Sequence, residues 1–578
     1  MAGSELESIA EPMVSHAMTG EASSAGVDVM IYFTGGLSRL VDKGFEPTTV
    51  AGDVVAGFIP FDSLDEVAAL ENVWLIESAR PLKEELDKSV AEMGVGQLHT
   101  AMPPFLGEGV IVGIIDSGID YLHQCFQNDD QSTRILAIWD QNLEPHEDER
   151  SPSDYTYGVE YDRIDIQRAL DTGDPQGRLR HKDRRGHGTH VAGIAAGNGA
   201  AAGNGLPPFT FVGVAPKADI IVVATKTKGT ISNSNNVVNA IEYLLKKAKA
   251  LDKPIVINIS QGDNLGAHDG TGMLERAIDH LLRDEGQVMV KSAGNGALFK
   301  THASGTVPQH GQIALPFTVP EGDRNPDTIE LWYSASDSFD VALRLPGGIV
   351  TNVISPGACY MTLGLPNGNR VLLESSTAEP LNGDSRIFIQ LEAGSSQQVE
   401  PGDWEILLIG RSVINGRFHA WIDEAKDDGF PVFTGPLVQG GCTITSPGTA
   451  RKIITVGAYI TNDLNLEPLG QIAPYSSIGP TRDGRKKPDV VAPGEILMSP
   501  RIIEVGAEPY SLQQGTSMAA PHVTGVIALM LQKNRTLTAE TIKDILVKNA
   551  RKDDFTGPQP DHRWGFGKIN AQGALTAV

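Results

Sequence analysis

Cysteine is scarce. The three in 578 residues, Cys125, Cys359 and Cys442, are too few and too far apart for a disulfide framework, and an odd number cannot pair fully within one chain. A reducing compartment is the simpler reading. Basic residues are also in deficit, with 47 Lys and Arg against 72 Asp and Glu and a formal net charge of -25. Such a surface repels phosphate backbones, which excludes nucleic acid as a partner. No apolar run is long enough to span a membrane, so no membrane partner is expected. The opening MAGSELESIAEPMVSHAMTG lacks a basic segment followed by an apolar one, so the expected location is cytoplasmic.

What is present is glycine, 63 residues, in a chain longer than one hydrophobic core usually fills. Two or three folding units are expected. After a small, polar stretch over residues 1–26, strand-like runs (VDVMIYF, VVAGFIPF, WLIESARP) alternate with short helical ones (LSRLVDKGF, SLDEVAALENV). Ser63 is placed to cap the second helix. Residues 1–86 therefore read as a compact α+β unit. From Gly107 the runs GVIVGIID, ADIIVVA, KPIVINIS and QVMVKSAGN are apolar with little alternation, as in strands buried on both faces. Helical segments such as THVAGIAAG and NNVVNAIEYLLKKAKA separate them. This α/β pattern predicts a parallel sheet with helices on both faces over 87–300, resumed over 441–578 with ARKIITVGAY. Between them, residues 301–440 show short strands split by PGG, PNGN, NGD and PGD. They read as an inserted, autonomous all-β sandwich.

Four residues carry chemistry. Asp116 ends a buried strand in GIIDSGID, where parallel sheets present functional groups. His187 stands between glycines at the mouth of a buried helix in GHGTHVAGIAAG, whereas His190 lies deeper and suits a structural role. Ser517, in GTSMAAPHVTGVIALML, stands at the N-terminus of another buried helix, where free N–H groups favour developing negative charge. Pro521 is expected in that helix's first turn. Asn295, in SAGNG after a strand, could donate its amide to an oxyanion. Singly, each has an ordinary explanation as a turn, cap or packing residue. Their order along the chain, Asp then His then Ser, is one of the known triad orders.

The segments IIDSGID, GHGTHVAG, GVAPKADI, NIS, AGNG, YSSIGPTRDGRKKPDVVAPG and GTSMAAPHVTG together resemble the motif series of the subtilisin-like serine peptidases. The resemblance runs over residues 88–300 and 440–578. It implies Ser517 as nucleophile, His187 as its general base, Asp116 as the group that orients the imidazole, and Asn295 with the Ser517 N–H as the oxyanion hole. Thr230, Ile231 and Ser232, with Ser260, Gln261 and Gly262, match the two edges that hold an extended substrate. Gly296 beside Asn295 adds no charge, so a neutral, apolar P1 preference is expected. No cofactor is implied. Many subtilisins bind calcium with the help of an Asp nine residues after the catalytic one, but Cys125 stands there and residues 191–218 hold no Asp or Glu. That metal site is not carried over.

Residues 1–86 resemble the family's propeptide, and SVAEMGVGQLH (89–99) resembles the start of mature subtilisins. Self-cleavage between Leu86 and Asp87 follows, with the chain's own propeptide and protein or peptide substrates as partners. The insertion resembles the jelly-roll insertion of the Csp germination proteases, some of which are pseudoproteases. Here all four site positions are filled, which favours a limited-processing endopeptidase over a propeptide-clamped scaffold.

Overall fold

The computed structural model describes residues 26–51, 54–78, 85–146, 148–172, 179–228, 231–232, 234–357, 361–423, 429–461, 468–504, 506–558 and 560–578. The polar stretch up to residue 25, Thr230 and Cys359 lie outside them. The chain divides into two compact units, Met1–Lys83 and Glu84–Val578.

In the first unit an antiparallel sheet runs in the order Glu46–Ala51, Val54–Pro60, Gly26–Phe33, Val73–Ser78. Alternate residues Val29, Ile31 and Phe33 turn inward to meet Val55, Ile59 and Val67. The strand Glu46–Ala51 is not evident in the sequence, because EPTTVA carries little apolar signal. Ser63 does precede the helix Leu64–Ala68, but its side chain makes no capping hydrogen bond.

The second unit is built on an eight-stranded sheet. Its order is Val490–Pro493, Ile454–Tyr459, Gln287–Ser292, Ile255–Ile259, Ile111–Asp116, Asp219–Ala224, Ile135–Asp140, Val159–Asp162. All neighbours run parallel except the last pair. The central strands are buried on both faces, which is why they read as apolar runs without alternation. On one face lie the helices His187–Ala196 and Thr516–Lys533, and on the other Ser234–Ala250 and Met273–Leu281.

The insertion forms a six-stranded and a four-stranded antiparallel sheet. Their inward residues make a core of their own, drawn only from residues 303–433, with Phe317, Leu331, Phe339, Ile389, Trp404 and Phe418 among its members. Ser385–Glu392 alternates strictly between buried and half-buried positions, as a strand of a sandwich must. The insertion nonetheless belongs to the same compact unit as the α/β sheet.

One buried side chain links fold to site. Arg134 is 5% exposed, and its guanidinium donates to the carbonyls of Cys125 (3.3 Å), Ala196 (2.7 Å) and Ala218 (2.6 Å). Ala196 ends the helix that begins with His187, so Arg134 satisfies a carbonyl the helix cannot. Burial pulls the Arg134 pKa down to about 10, still well above neutrality. Replacement by Met leaves three buried acceptors without this donor, each worth about 1–3 kcal/mol. Arg134→Met is expected to lower the urea midpoint accordingly, and an unchanged midpoint would refute this role.

Candidate active site

Asp116 ends its strand 1% exposed. Its Oδ1 accepts from the Ser117 N–H (2.7 Å) and from His187 Nδ1–H (2.7 Å). His187 is the first residue of its helix, preceded by Gly186 at φ 73°. A Cβ on Gly188 would lie 2.1 Å from the Gly118 carbonyl oxygen, so the glycine there lets the helix start touch the loop after Asp116. Removal from water lowers the His187 pKa, but the charge and hydrogen bond of Asp116, helped by Asp183, outweigh that and hold it above the ordinary 6.5.

Asp183 fixes this geometry. Its buried carboxylate accepts from Ser117 Oγ (2.8 Å), the N–H groups of Gly186 (2.9 Å) and Thr189 (2.9 Å), and Thr189 Oγ1 (2.6 Å). Burial raises its pKa, yet these donors carry it below the ordinary carboxylate value. A stable anion thus clamps the helix start, with its free N–H groups, to the loop after Asp116. The sequence signal was an Asp four residues before the His, which reads only as an upstream turn. His190 is structural, its Nε2–H donating to the Leu497 (3.1 Å) and Ser511 (3.0 Å) carbonyls, with burial depressing its pKa to about 3.

Ser517 is the second residue of Thr516–Lys533. Pro521 is the sixth, one turn deeper than the sequence suggests. Lacking an N–H, it leaves the Ser517 carbonyl without its helical partner. Ser260 Oγ donates to that carbonyl at 3.1 Å and is itself held by Asn258 Nδ2 (3.1 Å). The NIS segment thereby anchors the Ser517 backbone. The Ser517 hydroxyl lies 3.4 Å from the Ser260 carbonyl; among the described residues it makes no hydrogen bond to His187. Asn295 has its amide oriented by Thr516, whose N–H and Oγ1 both donate to Oδ1 at 3.0 Å. Nδ2 is left 3.3 Å from where a Cβ on Gly515 would stand, and Gly515 sits at φ 142°, a region that favours glycine. These groups meet in one cleft of about 600 Å³, lined by Asp116, His187, Ser260, Gln261, Gly262, Asn295 and Ser517 among others.

Other expected positions fall elsewhere. Gly296 is buried beneath the cleft wall, its N–H bonded to Ser477 Oγ (3.1 Å). Ile231 and Ser232 form a short hairpin with Thr227–Lys228. Leu86 and Asp87 lie within one helix, Glu85–Glu92. Cys125 is fully buried with Sγ 3.2 Å from Tyr510 Oη. The cleft also holds charged side chains. Lys291, 1% exposed, lines the cleft and donates to the Ser292 carbonyl, Ser292 Oγ (3.0 Å) and Thr445 Oγ1 (3.2 Å). Asp263, exposed at the rim, lines it too. A lysine closing the otherwise apolar run QVMVK was the available signal.

A parallel sheet carrying Asp at a strand end, His and Ser at two helix starts and an amide beside the Ser defines a subtilisin-like protein. A sequence profile of the subtilase family (peptidase S8) matches residues 107–377 and 433–567, and the chain belongs to that family. It is 38% identical over 153 residues to the serine protease AprX of Bacillus subtilis, covering 25% of this chain and 33% of AprX. It is 25% identical over 486 residues to the minor extracellular protease Vpr of the same organism, covering 82% of this chain and 52% of Vpr. The chain thus spans a third to a half of the length of these relatives. The structure of the Clostridium perfringens CspB protease superposes with a TM-score of 0.73 at 27% identity, covering 84% of this chain and 96% of that one.

Thr516 tests the amide's orientation, because its Oγ1 also accepts from the Gly294 N–H at 3.1 Å. Thr516→Val removes one of two donors to Asn295 and strands a backbone N–H. Peptide hydrolysis is expected to fall about tenfold, less than the roughly 10²–10³ typical when an oxyanion donor is deleted outright. A wild-type rate would mean that the backbone donor alone orients Asn295.

Proposed function

We propose that the protein is a serine endopeptidase made as a self-cleaving precursor, acting on a limited set of protein or peptide substrates. The observation that carries this reading is the 2.7 Å His187–Asp116 pair in one cleft with Ser517 and Asn295. Ser517 Oγ attacks the scissile carbonyl and gives its proton to His187 Nε2. The carbonyl oxygen becomes an oxyanion, received by Asn295 Nδ2 and the Ser517 N–H at the helix start. Collapse breaks the C–N bond, and His187 passes the proton to the leaving amine. Water then repeats the sequence on the acyl-enzyme. For the attack, the Ser517 hydroxyl must leave the Ser260 carbonyl and turn to His187.

The cut proposed for maturation is Leu86–Asp87. It lies near the start of the helix Glu85–Glu92, so that first turn must unwind for the bond to be presented as an extended strand. Proximity favours cleavage within the chain. A neutral, apolar P1 residue is preferred, as Leu86 is at the maturation cut. The low cysteine content supports action in a reducing compartment, such as the cytoplasm.

Wild type is expected to label with a fluorophosphonate and to yield a large fragment beginning at Asp87, whereas Ser517→Ala stays unlabelled and full length. Labelling of Ser517→Ala equal to wild type would sink the nucleophile assignment. A fragment starting more than a few residues from Asp87 would refute the register. The base must be neutral to act, so kcat/KM should rise with pH through an inflection above 6.5. Asp116→Asn removes the charge that raises it. The inflection should then move down while the plateau falls by about 10⁴; an unmoved inflection would contradict the assignment of His187.

A further inference from the structure

The sandwich leaves and rejoins the peptidase sheet at one place, and three metal-ligating side chains meet there. His302 opens the first strand of the insertion, His302–Thr306. His419 lies on the strand paired with it, Arg417–Ile422, in a register that sets His302 opposite Trp421 and Ser304 opposite His419. Both imidazoles therefore stand on the same face. Cys442 lies on the returning segment. One ligand atom from each of the three lies within 4.8 Å of the other two, and His302 Nε2 is 3.0 Å from His419 Nδ1.

Independent observations mark this cluster as built. His302 is 1% exposed, its ring buried where the insertion leaves the peptidase sheet. Cys442 sits at φ 56°, a conformation that favours glycine. Its N–H bonds to the Gly479 carbonyl (3.1 Å) and its own carbonyl accepts from Trp421 Nε1 (2.9 Å), which holds the strained residue in place. Trp421 stacks on His302 at 4.9 Å on one side and on His268 at 4.2 Å, so the walls are rigid. The nearby Arg482 is answered by Asp269 (2.6 Å) and Asp384 (2.7 Å).

We propose that His302, His419 and Cys442 bind one divalent transition ion of the zinc class, with water in the fourth position. Two imidazoles and a thiolate are the donors that such borderline-soft ions take, whereas calcium and magnesium require oxygen. Binding breaks the His302–His419 hydrogen bond, forms two nitrogen–metal bonds and one sulfur–metal bond, and releases the Cys442 proton to solvent. The His302 proton then resides on Nδ1, where the carbonyls of Gln439 and Gly441 act on the ring and would fix its orientation. The ion would tie both ends of the insertion to one point. It would also stiffen the wall formed by Thr445 and Ser446, which line the substrate cleft three and four residues beyond Cys442.

Metal-stripped full-length protein titrated with Co²⁺ tests this. One equivalent should bind, giving the strong visible bands of four-coordinate cobalt and a near-ultraviolet sulfur-to-cobalt band, both displaced by Zn²⁺. Cys442→Ser should lose the sulfur band, and His302→Ala should bind at least roughly a hundredfold more weakly. Because His302→Ala alters a buried junction, His419→Gln at a half-buried position serves as a second variant. Zn²⁺ should raise the melting temperature of wild type and not of His419→Gln. Folded wild type without a cobalt spectrum, a sulfur band that survives in Cys442→Ser, or an equal Zn²⁺ shift in His419→Gln would each overturn the proposal.

Discussion

A carboxylate held at a strand end with almost no contact with water must have its charge answered by protein. Asp116 is in that position, and its answer is the N–H of its neighbour and the ring of His187. Everything else at the site follows from keeping those partners in reach. The helix bearing His187 must start within touching distance of the loop after Asp116, which needs Gly188. That start must also be clamped, which Asp183 does with four donors from both segments. At its far end the same helix is satisfied by Arg134. His187 is thus fixed through both ends of its own helix, and its raised pKa follows from the geometry that orients it.

Ser517 is set by a different device. A helix beginning at Thr516 would ordinarily engage the Ser517 carbonyl in its own ladder. Pro521 prevents this, and Ser260 takes up the freed acceptor, so the strand edge that would line the substrate also anchors the Ser517 backbone. Thr516 meanwhile holds the carbonyl end of Asn295, which leaves only the amide end for the cleft. Thr516 and Pro521 of one helix, with Ser260 from the strand edge, therefore set the Ser517 backbone and the amide's orientation.

The buried strands, both long helices and most of the sandwich strands were legible because burial on two faces leaves apolar runs and burial on one leaves alternation. The edge strands Glu46–Ala51 and Val159–Asp162 were not, since an edge needs little apolar surface. Asp116, His187, Ser517 and Asn295 were legible through motifs set at turns and helix starts. Asp183 and Lys291 were not, because what matters about them is the set of groups around them. An Asp before a Gly-rich turn and a Lys at a strand end have common surface explanations that only three-dimensional burial removes. Lys291 is accordingly among the cleft-lining residues without a sequence motif to mark it.

The place of the insertion has a physical logic of its own. It departs just after Asn295 and returns just before Thr445, so both of its ends belong to the cleft. A sandwich with a separate core could move as a body about two such connections, and that motion would carry Asn295 and the cleft wall with it. The junction opposes this with packing rather than with strand pairing. Trp421 projects from the sandwich onto His268 of the peptidase domain and bonds to the Cys442 carbonyl, while Asn264 Nδ2 reaches the Ile422 carbonyl at 2.9 Å. Those contacts come from residues immediately downstream of Ser260, Gln261 and Gly262. The loop that contacts the sandwich is therefore the continuation of the substrate edge, and any force on the sandwich is transmitted to the cleft through a handful of backbone bonds.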